Sequence, residues 1–340
     1  MMTPFFAATK DSAGDSVFKA ILKNCLPLVD LLLSPFTLIS VLVLKFIRRG
    51  GSRHMKISHR IFRRVGVYPI RDHYYEPLFS SQHLRHPKGQ DRDLPGLDMN
   101  DREQLALLDQ FHFNEELEAI PVTKGRQLEF YYHNGSFESG DAEYWFNVIR
   151  LFKPHRIIEV GSGNSTLIAH AAVAQNKAED PQYSCDHVCI EPYEMPWLEQ
   201  LPAVRIIRNK VEDTPLEVFQ NLERNDILFI DSSHVLRAQG DVEYEVLRIL
   251  PRLNPGVVVH FHDIFTPKDY MLDWDREEQT LFFNEQYILE AFLCSNRRFR
   301  IIGAVNYLRH HYPEHISQKC PMLAREIDSR EPGSFWIVRH

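Results

Sequence analysis

The chain has 340 residues, 44% of them hydrophobic and 25% charged, which suits a large folded domain with an N-terminal extension. Its net charge of −7 excludes a protein drawn to nucleic acid by a global basic field. The five cysteines are odd in number and scattered, and no second pair completes a zinc site, so we expect reduced thiols in a cytoplasmic protein.

Residues 1–56 predict a short disordered tail followed by a segment that associates with a membrane. The apolar part covers residues 17–49, but its longest uncharged run has 14 residues and begins after Asp30. Pro27 and Pro35 would kink a longer helix. A spanning helix needs about 20 apolar residues. Basic residues follow the run, which favours the cytoplasmic face of an inner membrane. Three interpretations stay open: an anchor at the membrane surface, a tilted span, and a helix packed against the domain or a dimer partner.

Residues 57–134 predict an irregular collar that contains one helix. His73, Tyr74 and Tyr75 stand between prolines, where they either line a substrate mouth or pin a loop to a surface. The apolar spacing between Gln104 and Glu118 predicts the helix, with Asp101 as its cap.

Residues 135–340 predict the catalytic domain, and a strand–turn–helix pattern near its start organises it. The β-branched run Ile157–Val160 predicts a buried parallel strand, Gly161 and Gly163 a turn, and Ser165 with Thr166 a helix cap. Such a turn lets the backbone approach a nucleoside-bearing ligand, and the helix end offers free N–H groups. A third glycine at dinucleotide spacing is missing from the sequence.

Apolar runs then alternate with helical segments, which predicts a doubly wound α/β sheet. The later strands are predicted at residues 187–191, 204–208, 226–231 and 256–263, and a closing antiparallel pair at 299–308 and 334–340. Before the first strand, Asp141 either caps a helix or belongs to a turn that closes over the cofactor.

Polar residues recur where the predicted strands end, and ligands of open α/β sheets bind at that edge. The residues are Glu159, Gly161, Glu191, Glu212, Asp231, His234, His262 and Asp263. Polar groups are costly to bury without partners, so their recurrence at one edge predicts a binding site. Glu191 is placed to accept the two ribose hydroxyls of a nucleoside.

Four segments together resemble a bacterial group of class I S-adenosylmethionine-dependent methyltransferases, the methyltransferase domain 24 type. They are residues 159–167 (EVGSGNSTL), 189–193 (CIEPY), 226–234 (DILFIDSSH) and 259–265 (VHFHDIF). The resemblance covers residues 135–340 and implies a seven-stranded, mostly parallel, Rossmann-like sheet. It implies cofactor contacts from Glu159, Gly161, Ser162, Gly163, Asn164, Ser165, Glu191, Glu212 and Asp231.

The resemblance implies methyl transfer, which we expect to reach an oxygen of a small-molecule or glycan-like acceptor. Polar residues after the fifth strand, among them Asn284, Glu285 and Gln286, either bind this acceptor or cap helices. A nucleotide-dependent oxidoreductase and a non-catalytic, membrane-tethered binding protein are the alternatives, and the pattern leaves a homo-oligomer open.

The reaction centre has two candidate mechanisms. In one, Asp231, His262 and Asp263 bind a divalent metal, Mg²⁺ or Mn²⁺, which lowers the pKa of the acceptor hydroxyl. In the other, His234 or His262 acts as the general base beside Asp231 and Asp263. We favour the histidine mechanism because His262 breaks an all-oxygen ligand pattern. His260 is expected to be structural.

Overall fold

A computed structural model describes residues 13–71, 73–78, 84–87, 89–193, 195–270 and 282–340, with side chains described from Cys25 onward. Residues 1–12 of the predicted tail lie outside the described residues. The chain forms two compact units, Met1–His83 and Leu84–His340.

The first unit contains two helices, α1 (Ala13–His54) and α2 (Lys56–Val65). α1 continues through Pro27 and Pro35, and its backbone leaves helical geometry at Gly51 (φ 71°, ψ 164°). Among the described residues, the stretch Cys25–His54 is the one helix long and apolar enough to cross a membrane by length and composition. Its large apolar side chains are exposed.

The second unit begins with three helices that precede the sheet: α3 (Asp101–Asp109), α4 (Asn114–Glu118) and α5 (Asp141–Phe152). The single helix predicted over Gln104–Glu118 is therefore two. Phe111 and Phe113 are both buried between them, and a spacing of two residues cannot place both side chains on one helix face. Asn100, at φ 57°, precedes α3, so the predicted cap at Asp101 is one residue late.

The sheet has seven strands in the order β3-β2-β1-β4-β5-β7-β6, which confirms the predicted fold class. The strands are β1 (Arg156–Val160), β2 (Asp186–Ile190), β3 (Val204–Ile207), β4 (Ile227–Ile230), β5 (Val258–Phe261), β6 (Phe299–Ala304) and β7 (Phe335–Arg339). The first five are parallel, while β7 runs antiparallel to both β5 and β6. The remaining helices are α6 (Asn164–Glu179), α7 (Leu216–Gln220), α8 (Asp241–Tyr244), α9 (Glu285–Leu293), α10 (Val305–His311), α11 (Pro313–Ser317) and α12 (Pro321–Glu326).

Alternation along the strands divides the core into two layers, one on each face of the sheet. Ile157 and Phe229 face the layer formed with α5 and α6, whereas Ile158 and Leu228 face the other layer. Leu117 and Tyr132, from the segment predicted as a collar, pack in the first layer. The boundary predicted at residue 135 stays a prediction.

Candidate active site

The glycine turn after β1 lies directly against the end of β4. Gly161 has φ 76°, and a Cβ atom there would lie 1.9 Å from the carbonyl oxygen of Asp231. Its N–H donates to Ile190 O (3.0 Å), and the N–H of Asp231 donates to Val160 O (2.8 Å). The ends of three neighbouring strands meet at this point, and they can do so only because Gly161 has no side chain.

Glu159 lies beneath the turn, on the sheet face that packs against α6. Its fully buried carboxylate accepts a hydrogen bond from Thr166 Oγ1 (2.6 Å) and lies 2.8 Å from His187 Nε2. Burial opposes a charge on His187, but Cys189 and Glu159 beside it raise its pKa to about 10. Glu159, His187 and Cys189 form a buried group with ligand atoms within 4.8 Å of one another. Glu159 therefore ties β1 to β2 and to the first turn of α6.

The predicted cap residue Thr166 lies inside α6 as its third residue, and its Oγ1 accepts the N–H of Gly163 (3.1 Å), which precedes the helix. α6 begins at Asn164, earlier than the sequence suggested. Ser165 is buried, with its Oγ 3.4 Å from Glu159. The side chain of Asn164 instead donates to Ser136 Oγ (2.7 Å), which fixes the preceding loop beside the turn.

A cavity of about 550 Å³ opens at the carboxyl ends of β1, β2 and β4. It is lined by Gly161, Glu191, Glu212 and Asp231, four of the predicted site residues. Glu191 is oriented by the backbone N–H groups of Tyr193 (2.9 Å) and Ser162 (3.4 Å). The strand-end carboxylates thus meet around one space large enough for a nucleoside.

A second cavity of about 380 Å³ shares Gly161, Glu191 and Asp231 with the first. Its other lining residues include Ser162, Gly163, Asn164, Ser165, His262 and Asp263. Ser162 Oγ and His262 Nδ1 are buried there without a hydrogen-bond partner among the described residues. A buried polar atom without a partner costs free energy, so these two atoms favour a polar ligand in this cavity.

His234 lies between the two carboxylates at the ends of β4 and β5. Its Nε2 is 3.3 Å from Asp231 Oδ1 and 3.7 Å from Asp263 Oδ2. His234 (φ 57°) and Asp263 (φ 55°) both have left-handed backbones, which are uncommon outside glycine. The chain at Gly333 packs closely against Asp263: a Cβ atom added to Gly333 would lie 3.0 Å from Asp263 Cα. This packing holds the left-handed backbone of Asp263 in place.

Glu285 makes a contact with His234 that the sequence pattern did not predict. It is buried at the start of α9, and its Oε2 lies 2.8 Å from His234 Nδ1. The N–H groups of Asn284 and Glu285 also donate to His234 O. A histidine and a glutamate 51 residues apart give no local signal, which is why the sequence offered Glu285 only as an acceptor contact or a cap.

The charges around His234 favour its protonated form. Burial alone would lower its pKa, but Asp231 and Glu285 raise it well above the ordinary value. Burial would likewise raise the pKa of Asp231, but His262 and His234 lower it to about 2. Two carboxylates at neighbouring strand ends thus share a positively charged imidazole.

His260 and His262 point to the same sheet face but have different surroundings. His260 stacks on Phe229 (3.9 Å between ring centroids) and lies 2.9 Å from Ser334 Oγ, as expected for a structural residue. Burial and the nearby His262 hold its pKa well below the ordinary value. His262 reaches the second cavity, with Nε2 3.7 Å from Asp263 Oδ1.

The predicted metal ligands Asp231, His262 and Asp263 all lie near the second cavity. They are not among the described groups whose ligand atoms all approach within 4.8 Å of one another. The histidine in contact with both carboxylates is His234, and it lies where a cation between them would be expected.

Asp141 neither caps α5 nor reaches the cavities. Its buried carboxylate accepts the N–H groups of Ser334 (2.7 Å) and Gly333 (3.2 Å). It thereby anchors the loop before β7, which in turn packs against Asp263.

Comparison with known proteins identifies the family. An uncharacterized protein of Archaeoglobus fulgidus is 31% identical over 177 residues, which is 48% of this chain and 78% of that protein. A family model described as a methyltransferase domain matches residues 158–264, from β1 to just beyond Asp263. The chain is a member of the methyltransferase family that this model describes.

Two solved methyltransferase structures are also similar to this one. An O-methyltransferase from Bacillus cereus in complex with SAH has a TM-score of 0.37 at 13% identity, and covers 69% of this chain and 91% of its own. The SAH-bound Podospora anserina methyltransferase PaMTH1 has a TM-score of 0.38 at 15% identity, with 71% and 94% covered. The family match confirms the predicted enzyme activity, methyl transfer.

Proposed function

We propose that this methyltransferase transfers a methyl group to a hydroxyl oxygen of a small-molecule or sugar-like acceptor. The observation that carries the proposal is the position of His234 between Asp231 and Asp263 at the edge of the cofactor cavities. An alcohol oxygen becomes a good nucleophile when a positioned group takes its proton.

The residues around the two cavities fit S-adenosylmethionine. In our proposal Glu191 accepts the ribose hydroxyls and Glu212 lies beside the adenine, because both line the larger cavity. The start of α6 and Ser162 line the smaller cavity, and in our proposal they bind the amino-acid end of the cofactor. Glu159 is assigned a positioning role beneath Gly161, since its carboxylate is bonded to His187 and Thr166.

When bound, the cofactor supplies a methyl group on a positively charged sulfur, which an acceptor oxygen attacks. The protein aligns the acceptor and removes its proton. In our proposal the neutral form of His234 takes that proton at Nε2. Glu285 holds the other ring nitrogen, and Asp231 and Asp263 stabilise the imidazolium that forms.

A divalent cation is the alternative for the same position. Asp231 and Asp263 offer carboxylate oxygens that suit Mg²⁺ or Mn²⁺, whereas the histidine nitrogen suits Mn²⁺ better. The contact between His234 and both carboxylates favours the imidazole.

The experiment that tests the function follows the methyl group. Full-length protein is incubated with methyl-labelled S-adenosylmethionine and small-molecule extracts, and the labelled products are characterised by NMR and mass spectrometry. We expect a methyl ether, formed much more slowly by His234→Gln. Label on nitrogen, sulfur or carbon only would contradict O-methylation. Mass spectrometry of the nucleoside that co-purifies with the protein checks the cofactor separately.

We also propose that α1 places the enzyme at the cytoplasmic face of a membrane. Leu31, Phe36 and Leu42 along α1 are exposed, as expected for side chains that contact lipid. The basic residues that follow the apolar run favour the cytoplasmic side.

A further inference from the structure

α2 is a basic, amphipathic helix whose outward face has no partner among the described residues. Ile57, Ile61 and Val65 follow one another at four-residue spacing, which places them on one helix face. They are 73%, 54% and 61% exposed. Lys56, Arg60, Arg63 and Arg64 occupy the rest of the surface, and the helix contains no acidic residue.

The opposite face of α2 is fixed inside the first unit. His59 is buried, and its Nδ1 lies 3.1 Å from the hydroxyl of Tyr68. Phe62 packs edge-on against the same tyrosine ring (5.8 Å between centroids). Arg48 of α1 donates to the Tyr68 hydroxyl (2.6 Å), so α2 and α1 are linked through one side chain. Because His59 and Phe62 contact Tyr68 on one side of α2, the opposite side points outward. That side carries Ile57, Ile61 and Val65.

The charge of this region is opposite to that of the whole protein. Nine lysines and arginines and no aspartate or glutamate lie between Leu31 and Arg71, in a chain whose net charge is −7. A stripe of aliphatic side chains bordered by arginines is the composition of helices that lie in the plane of an anionic bilayer surface. Tyr74 and Tyr75, whose rings contact each other and which are more than 80% exposed, are residues typical of a membrane–water interface.

We propose that α2 is an interfacial helix that docks on a bilayer rich in anionic phospholipid, with Ile57, Ile61 and Val65 among the acyl chains. Arg60 and Arg64 border that stripe and pair with the lipid phosphates. The surface is separate from the apolar helix α1, whose partition into lipid needs no headgroup charge. The proposal rests on the proposed membrane association of α1 for proximity only, and it is independent of methyl transfer.

The experiment places a tryptophan on either side of α2 in the full-length protein. Ile61→Trp reports on the aliphatic stripe, and Arg63→Trp, nearly opposite on the helix, is the matched control. Each variant is bound to vesicles whose acyl chains carry bromine, made of phosphatidylcholine alone or mixed equally with phosphatidylglycerol. Quenching is measured against the unmodified protein, which corrects for its own tryptophans.

We expect strong quenching of Ile61→Trp in the anionic vesicles, weak quenching in the neutral ones, and little quenching of Arg63→Trp in either. Adding Arg60→Gln and Arg64→Gln to the Ile61→Trp variant should weaken the binding of α2 to anionic vesicles about fivefold for each charge removed. High salt should have a similar effect.

Equal quenching at both positions, or in both lipids, overturns the proposal. So does binding to all vesicles without quenching of Ile61→Trp, which would mean that α1 alone holds the protein. Failure to bind any vesicle overturns the role of α1 as well. Protection of Ile61 by a second copy of the chain or by bound RNA would also overturn the proposal, because that molecule and not lipid would cover the aliphatic stripe of α2. None of these outcomes bears on methyl transfer, which is assayed separately.

Discussion

At the scale of single residues, the site depends on carboxylates whose orientation is set by their neighbours. Glu191 is held by backbone N–H groups before any ligand arrives, which reduces the entropy lost on binding. His234 is held on both ring nitrogens and through its backbone oxygen. These two residues give the sharpest tests.

Replacing Glu191 with alanine should weaken S-adenosylmethionine binding by about 1.5–3 kcal/mol, the usual worth of hydrogen bonds to a charged group. Isothermal titration calorimetry measures the affinity, and Glu217→Ala, an exposed acid on α7, is the control. Unchanged affinity in a folded Glu191→Ala protein would exclude the ribose assignment.

If His234 is the base, the rate of methyl transfer should rise with pH over a range above the ordinary histidine pKa of about 6.5. Its pKa is raised, so the imidazole stays protonated, and unable to accept a proton, to a pH above about 6.5. Glu285→Gln removes one of the charges that raise this pKa, so the rise should move to lower pH while the maximal rate falls. His234→Gln should lower the rate by about 10²- to 10⁴-fold.

The pH–rate profile is measured on the acceptor identified by methyl labelling, and a chelator separates the two mechanisms. If a metal fills the position of the imidazole, chelation should abolish activity and Mn²⁺ or Mg²⁺ should restore it. Full, reversible inhibition by a chelator would show that the histidine mechanism is wrong.

At the scale of elements, the glycine turn has two roles: it lines the candidate site, and it lets the ends of neighbouring strands pack together. The sequence suggested that a side chain at Gly161 would meet the cofactor. The structure adds that even a Cβ atom would collide with the backbone of Asp231, on the neighbouring strand end.

Gly161→Ala should therefore destabilise the fold itself. Overpacking costs about 1–3 kcal/mol and the left-handed backbone a further 1–2 kcal/mol or so. Gly163→Ala is the matched control, because a Cβ atom there would make an ordinary 3.7 Å contact with Met195. Urea unfolding compares the two variants, and equal stability would show that the strand ends adjust to a side chain at Gly161.

The sequence predicted features that depend on neighbouring residues, but not contacts between residues far apart in the chain. Apolar runs of four or five residues predicted the strands, and the polar residues after them predicted the candidate site, because both signals are local. The partner of His234 is not local: Glu285 is brought there by α9, and the left-handed backbone of His234 aims its ring at the two carboxylates. The link between Asp141 and Ser334 spans 193 residues and is likewise invisible to any periodic pattern.

At the scale of the whole molecule, the two compact units suggest separate tasks. The methyltransferase site lies within Leu84–His340, and the exposed apolar helix within Met1–His83. The sheet and both cavities use residues of the second unit only.

Removing the residues before Lys56 should release the protein from neutral membranes without loss of cofactor binding. The physical reason is that the deletion removes the apolar helix but none of the sheet. Flotation with phosphatidylcholine vesicles and calorimetry with S-adenosylmethionine measure the two effects. A full-length protein that stays in solution without detergent, together with a shortened one that unfolds, would mean that α1 belongs to the core.

The position of β7 in the sheet affects the order in which the fold can form during synthesis. β7 follows β6 in the chain but lies between β5 and β6 in the sheet. During synthesis β6 therefore leaves the ribosome before β7, the strand with which it pairs, and before the loop that packs against Asp263. α1, by contrast, emerges before any strand. In our proposal for α1, the chain can therefore reach a lipid surface while the residues of its catalytic centre are still being made.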